Sequence, residues 1–118
     1  MILFAANIFI AHILLVTPAL NIDVLTSESS PGHVEIKPCI ENAGETGEFS
    51  YSIQSRKTGA NSSLSTQKGT VRVQTGEKKC DFARSTVSVG EGQKVEIIYR
   101  VYQQGTLIKE KIMLFPSD

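Results

Sequence analysis

The chain has 118 residues, room for one domain and little more. Twelve Lys and Arg balance twelve Asp and Glu, which excludes the strongly basic footprint of a nucleic-acid binder. Two cysteines, two histidines and no tryptophan leave few groups for catalysis or metal binding.

Residues 1–19 read as a signal peptide. Residues 2–16 are mostly apolar, the length of a signal h-region and short for a membrane span. Thr17 and Ala19 offer small residues at positions −3 and −1 if cleavage follows Ala19. No Lys or Arg precedes the run, and Asn7 and His12 interrupt it, so an uncleaved anchor or a later start codon remains an alternative. Residues 20–32 are expected to be a linker, because "TSESSPG" is rich in Ser, Pro and Gly and has no apolar period. The folding unit is expected to span residues 33–116. Within it twelve basic residues face nine acidic ones, a net charge of +3.

From residue 33 onward almost every segment alternates. "HVEIKPCIEN" sets Val34, Ile36 and Ile40 on one face and Glu35, Lys37, Cys39 and Glu41 on the other, with Pro38 marking an edge or a bulge. "EFSYSIQSRK" turns Phe49, Tyr51 and Ile53 inward. "SLSTQKGTVRVQT" offers Leu64, Val71 and Val73, and Gly69 reads as a bulge or bend. "CDFARSTVSV" carries Phe82, Val87 and Val89. "VEIIYRV" places Val95, Ile97, Tyr99 and Val101 inward, and "QQG" closes a hairpin into residues 107–115, where Leu114 is expected inward. The pattern predicts strands near 33–42, 48–57, 64–75, 82–89, 94–103 and 106–115. This is an all-β chain, an immunoglobulin-like antiparallel β-sandwich of six to seven strands.

Catalytic chemistry has little to stand on. His33 is the sole histidine after the signal, and no second one can complete a triad. Two separated cysteines and one histidine do not make a zinc site. "GEGQK" lies between strands and reads as a turn rather than a phosphate loop. Cys39 and Cys80 have one possible pairing, and an even count in an exported domain suggests a disulfide. Two unpaired thiols, or a redox pair, are the alternatives. No enzyme activity, cofactor or metal is expected; a binding module remains. Its last hairpin resists aggregation through the charges of "IKEKI".

Several stretches carry a resemblance: "VEIKPCIEN", "GEFSYSIQSRKTGANSSLSTQKGTV", "RSTVSVGEGQKVEIIYRVYQQGTLIKEK" and the ending "LFP". Together they resemble the periplasmic curli-assembly inhibitors, particularly the alphaproteobacterial CsgH type and, more distantly, the enteric CsgC type. The resemblance implies a seven-stranded immunoglobulin-like sandwich that keeps curli subunits from forming amyloid before secretion. It implies a monomer in the periplasm, free of the membrane once the signal is cleaved, with curli-type amyloid subunits as partners and no nucleic acid. The enteric form has a Cys-x-Cys pair, whereas Cys39 is followed by Ile40 and Glu41, so no redox role attached to that pair is carried over. Candidate client contacts are Arg56, Lys57, Lys68, Arg72 and Arg100. The plainer reading of each is a solvated charge that keeps the sheet soluble. A structural or adhesive β-sandwich module of a secreted or surface assembly is the competing function.

Overall fold

Period-two alternation becomes eight strands in the computed structural model, which describes residues 19–59 and 61–116. They are β1 (Leu20–Ser30), β2 (His33–Asn42), β3 (Gly47–Thr58), β4 (Ser63–Val73), β5 (Lys78–Lys79), β6 (Ser85–Ser88), β7 (Lys94–Gln103) and β8 (Thr106–Phe115). All pairings are antiparallel. One sheet runs β1-β2-β5, with β6 also paired to β2; the other runs β4-β3-β7-β8. The protein is therefore an immunoglobulin-like β-sandwich. The reading of residues 1–18 as a signal lies outside the described residues.

The inner faces of the two sheets supply one core. Ile36 and Ile40 of β2 meet Phe49, Tyr51 and Ile53 of β3, Val71 and Val73 of β4, and Val95, Ile97, Tyr99 and Val101 of β7, all buried. Val87 of β6 is buried with them, and Val34 is half-buried against the cluster. Burying a Val- or Ile-sized side chain contributes about 1.5–3 kcal/mol, so this set is the main source of cohesion.

Four expectations are corrected. Residues 20–30 are not a linker: they form β1, paired with β2 from Leu20 opposite Asn42 to Ser30 opposite His33. The cause is a short alternation, Leu20, Ile22 and Val24, with Leu20 and Val24 buried and Ile22 packed on the core. The serines beyond are held by the ladder alone. Leu114 is not inward but 61% exposed. A register shift at Val101/Tyr102 sets Met113 opposite Ile97 and Phe115 opposite Val95, and a one-residue slip exchanges faces. Gly69 is no bulge, since β3 and β4 pair without a break from Gly47 opposite Val73 to Lys57 opposite Ser63. Its glycine is there for space: a Cβ would stand 2.5 Å from the Tyr51 hydroxyl oxygen. Pro38 lies in a strand flanked on both sides, but opposite the gap between β5, which reaches Ile40, and β6, which reaches Ile36. A residue without an N–H is tolerated there because no ladder bond is asked of it.

Two polar contacts pin the layers. The Tyr99 hydroxyl, on a fully buried ring, donates to the Cys39 carbonyl at 3.2 Å, so β7 reaches across the core to β2. Burial, with a smaller effect of Tyr51, pushes the Tyr99 phenol well above its ordinary range. Buried Asn42 donates through its amide to the carbonyls of Val73 (3.0 Å) and Glu45 (2.8 Å) and accepts from the Gly44 N–H (2.9 Å). It ties the end of β2 to β4 and to the turn entering β3.

These features set stability expectations. Ile97→Ala should cost about 2–5 kcal/mol in denaturant unfolding. Asn42→Ala, losing three bonds, should cost on the order of 3 kcal/mol. Tyr99 has a raised folded pKa, so its contribution is fully present below the ordinary phenol value of about 10 and is lost as pH rises. Alkaline unfolding should therefore steepen above about pH 10 in the native chain and be blunted in Tyr99→Phe, as followed by circular dichroism.

Candidate functional site

The outer face of the four-stranded sheet gathers most of the candidate contacts. Even-numbered residues of β3, β4 and β7 point outward, opposite to the core set. Lys68, Ser52, Arg100 and Glu110 form one row across the four strands, and Leu64, Arg56, Glu96 and Leu114 form another. Arg72 sits opposite Glu48. Arg56, Lys68, Arg72 and Arg100 therefore share one face. Five cations there, Lys94 included, stand against three acids, Glu48, Glu96 and Glu110, so the face is only mildly basic.

These residues differ in availability. Arg100 Nε lies 2.6 Å from Glu110 Oε2, and this bond holds the guanidinium firmly in its charged form. Arg56, Lys68 and Arg72 are exposed and make no ion pair among the described residues. Lys57 does not join them. It has inward parity, is half-buried, and its ammonium donates to Ser88 Oγ at 3.0 Å, linking the two sheets. A long apolar stem with a bound head is a structural use of lysine.

Two further surfaces occupy the same face. Ile98 and Ile112 are cross-strand neighbours, and with Leu114 they make an apolar patch; Ile112 and Leu114 are more than half exposed. Leu64 on β4 and Leu107 at the start of β8 are exposed apart from it, with Arg56 and Glu96 between Leu64 and Leu114. The outward parity of Ile98 is legible in the alternation of "VEIIYRV", but Ile112 and Leu114 depend on the shifted register of β8. Near β4 a cleft of about 420 Å³ surrounds Gly69, lined by Ser50, Ser52, Lys68, Thr70 and Tyr102. Nothing in the one-dimensional pattern brings those hydroxyls together.

Redox and metal chemistry find different ground. Cys39 and Cys80 are joined, with Cα atoms 4.1 Å apart, and no free cysteine is present among the described residues. Cys39 has outward parity yet is only 1% exposed. His33 is exposed, with Nδ1 3.3 Å from the Pro31 carbonyl. No three His, Cys, Asp or Glu side chains converge among the described residues. A second link, Lys111 Nζ to Asp23 Oδ1 at 3.0 Å, spans the β8 and β1 edges, and the lysine holds the Asp23 carboxyl below its usual range.

No protein-family model and no curated protein matches the chain. Its fold is shared by solved structures. The Escherichia coli curli protein CsgC aligns with a TM-score of 0.64 at 14% identity, covering 84% of this chain and all of that one. CsgH of R. palustris aligns with a TM-score of 0.59 at 17% identity, covering 80% of this chain and 90% of that one. A β-glucuronidase of Bacteroides uniformis aligns at 0.55 and 14% identity, covering 80% of this chain but only 12% of its own. At these identities the likeness defines the fold: a small free-standing sandwich in the curli proteins, a minor part of a much larger chain in the glycosidase.

The covalent link can be checked directly. Thiol titration of the unfolded, unreduced protein should find no reactive cysteine, and two after reduction. Closing a 41-residue separation should contribute about 4 kcal/mol in the chain-entropy account, so Cys39→Ser with Cys80→Ser should lower the denaturation midpoint without changing the sheet spectrum.

Proposed function

We propose that the chain is a periplasmic, chaperone-like inhibitor that binds curli-type subunits transiently and non-covalently and delays their assembly into amyloid. The observation that carries this reading is the match of the sandwich to CsgC and CsgH over nearly the whole of both. The disulfide fits an oxidising compartment, as an exported protein would need. The proposed mode is binding without catalysis, metal or cofactor, by a monomer. The mildly basic face, with Arg56, Lys68 and Arg72 exposed, supports an electrostatic role, because exposed charges chiefly raise association rate. Speed matters to a protein that must intercept a nucleus before it grows.

An adhesive role through donor-strand exchange would call for a free extension. The polar segment the sequence offers for this, residues 21–31, is bound within the molecule through residue 30 as part of β1.

Adding the protein to a polymerising curli subunit and following thioflavin fluorescence tests the proposal. A lengthened lag at near-equal concentration is expected, and an unchanged lag would remove it. The effect should weaken between 0.1 and 1 M salt, as the Debye length falls from about 10 Å to about 3 Å. Arg56→Glu, Lys68→Glu and Arg72→Glu together should abolish the delay while leaving the fold intact. Full inhibition by that variant would place the activity on apolar or backbone contacts instead.

A further inference from the structure

The two outer edges of the four-stranded sheet are built differently. On β8, Lys109 lies opposite Val101 and Lys111 opposite Tyr99, so both occupy the core-facing side of an edge strand. The register is also broken at Val101/Tyr102. Inward charges and bulges at an edge deter a further strand, because pairing would bury the charge and misalign the ladder. β4 has neither device. It runs eleven residues with unbroken register, has no proline, and its core-facing side carries Ser63, Ser65, Gln67, Gly69, Val71 and Val73.

Gly69 adds a feature that a plain edge would lack. The Tyr51 ring lies against it, so that a Cβ there would meet the hydroxyl oxygen at 2.5 Å and ring carbons at 2.8 and 2.9 Å. The ring is held from the other side by an edge-on contact with Phe82, centroids 5.0 Å apart. Only the glycine backbone separates this braced aromatic from the next strand position. On the outward side of the same stretch, Lys68 and Arg72 are exposed. The cleft around Gly69 opens there too.

We propose that β4 is the docking edge, and that it takes one extended partner segment as an added antiparallel strand with a large apolar residue opposite Gly69 and acidic residues opposite Lys68 and Arg72. Backbone pairing over residues 66–71 supplies the attachment, the Arg72 carbonyl already accepting from the Lys79 ammonium at 2.8 Å, and alternate side chains supply the selectivity. The apolar residue rests against the Tyr51 ring, which no side chain at position 69 covers. The acids meet the two exposed cations on the opposite side of the strand. The inference deepens the reading above by naming the edge and the kind of segment it holds.

The test is an amide NMR titration of the folded chain with the peptide Asp-Val-Thr-Phe-Asp-Thr-Thr, whose order sets Asp opposite Arg72, Phe opposite Gly69 and Asp opposite Lys68. Shifts confined to β4 and its neighbours, with a ring-current change at Tyr51, are expected. Replacing the peptide Phe by Ala, or Gln67→Lys in the protein, should weaken binding at least tenfold. Gln67→Lys copies the inward lysine of β8, and its melting temperature is checked alongside; if it does not fold, the Phe-to-Ala peptide carries the comparison. Absence of binding, or shifts centred on Ile98 and Ile112, would overturn the proposal. The subunit assay separates the two readings. A Gln67→Lys protein that delays polymerisation as well as the native chain sinks the β4 edge and spares the anti-amyloid function. A native chain that binds the peptide on β4 yet delays no subunit does the reverse.

Discussion

The bond from the Tyr99 hydroxyl to the Cys39 carbonyl joins the middle strands of both sheets at the residue that also carries the disulfide. A thin sandwich has little apolar depth, so its layers need such fixed points to hold one relative position. Here the position is set from the centre. β7 reaches β2 through the phenol, and β2 reaches the stretch between β5 and β6 through Cys80. That stretch brings Phe82 against Tyr51, and Tyr51 in turn fills the space beside Gly69 on β4. A chain of contacts thus runs from the core pin to an outer edge.

Strand edges are the second constraint. A sheet that does not close presents unpaired backbone groups, which invite aggregation unless they are blunted. This molecule treats its edges unequally. β8 is guarded by core-facing lysines, one of them clasped to Asp23 on β1. β4 is left regular and nearly uncharged on its core-facing side. On the function proposed above, the asymmetry within this sheet has a use: the β4 edge engages one strand while the guarded β8 edge offers no second from which a fibre could continue.

Electrostatics on the outer face are subtler than a count of basic residues suggests. Arg100 is spoken for by Glu110, and Lys57 is turned toward Ser88. What remains exposed is concentrated toward β3 and β4, on the side of the open edge, while the apolar patch of Ile98, Ile112 and Leu114 lies toward β8. Exposed positive charge and the apolar patch are thus placed on different halves of one sheet.

The all-β class, the positions of most strands from β2 to β8, the one possible cysteine pairing and the inward set on β2, β3 and β7 were legible in the chain. These follow from alternation, which is local, and from a cysteine count with one solution. The alternation also placed Arg56, Arg72 and Arg100 outward by parity. The rest depends on how strands pack against one another. β1 was hidden because its three alternating apolar residues are followed by serines that no local pattern makes a strand; β2 supplies the ladder that orders them. Leu114 changed face because a register shift is a property of two paired strands rather than of one. Gly69 looked like a break in a strand and is instead the space for a ring eighteen residues earlier in the chain, a contact that exists only once β3 lies beside β4. Parity along a strand is written in neighbouring residues, but which strand neighbours which, and in what register, is settled by packing across the whole sandwich.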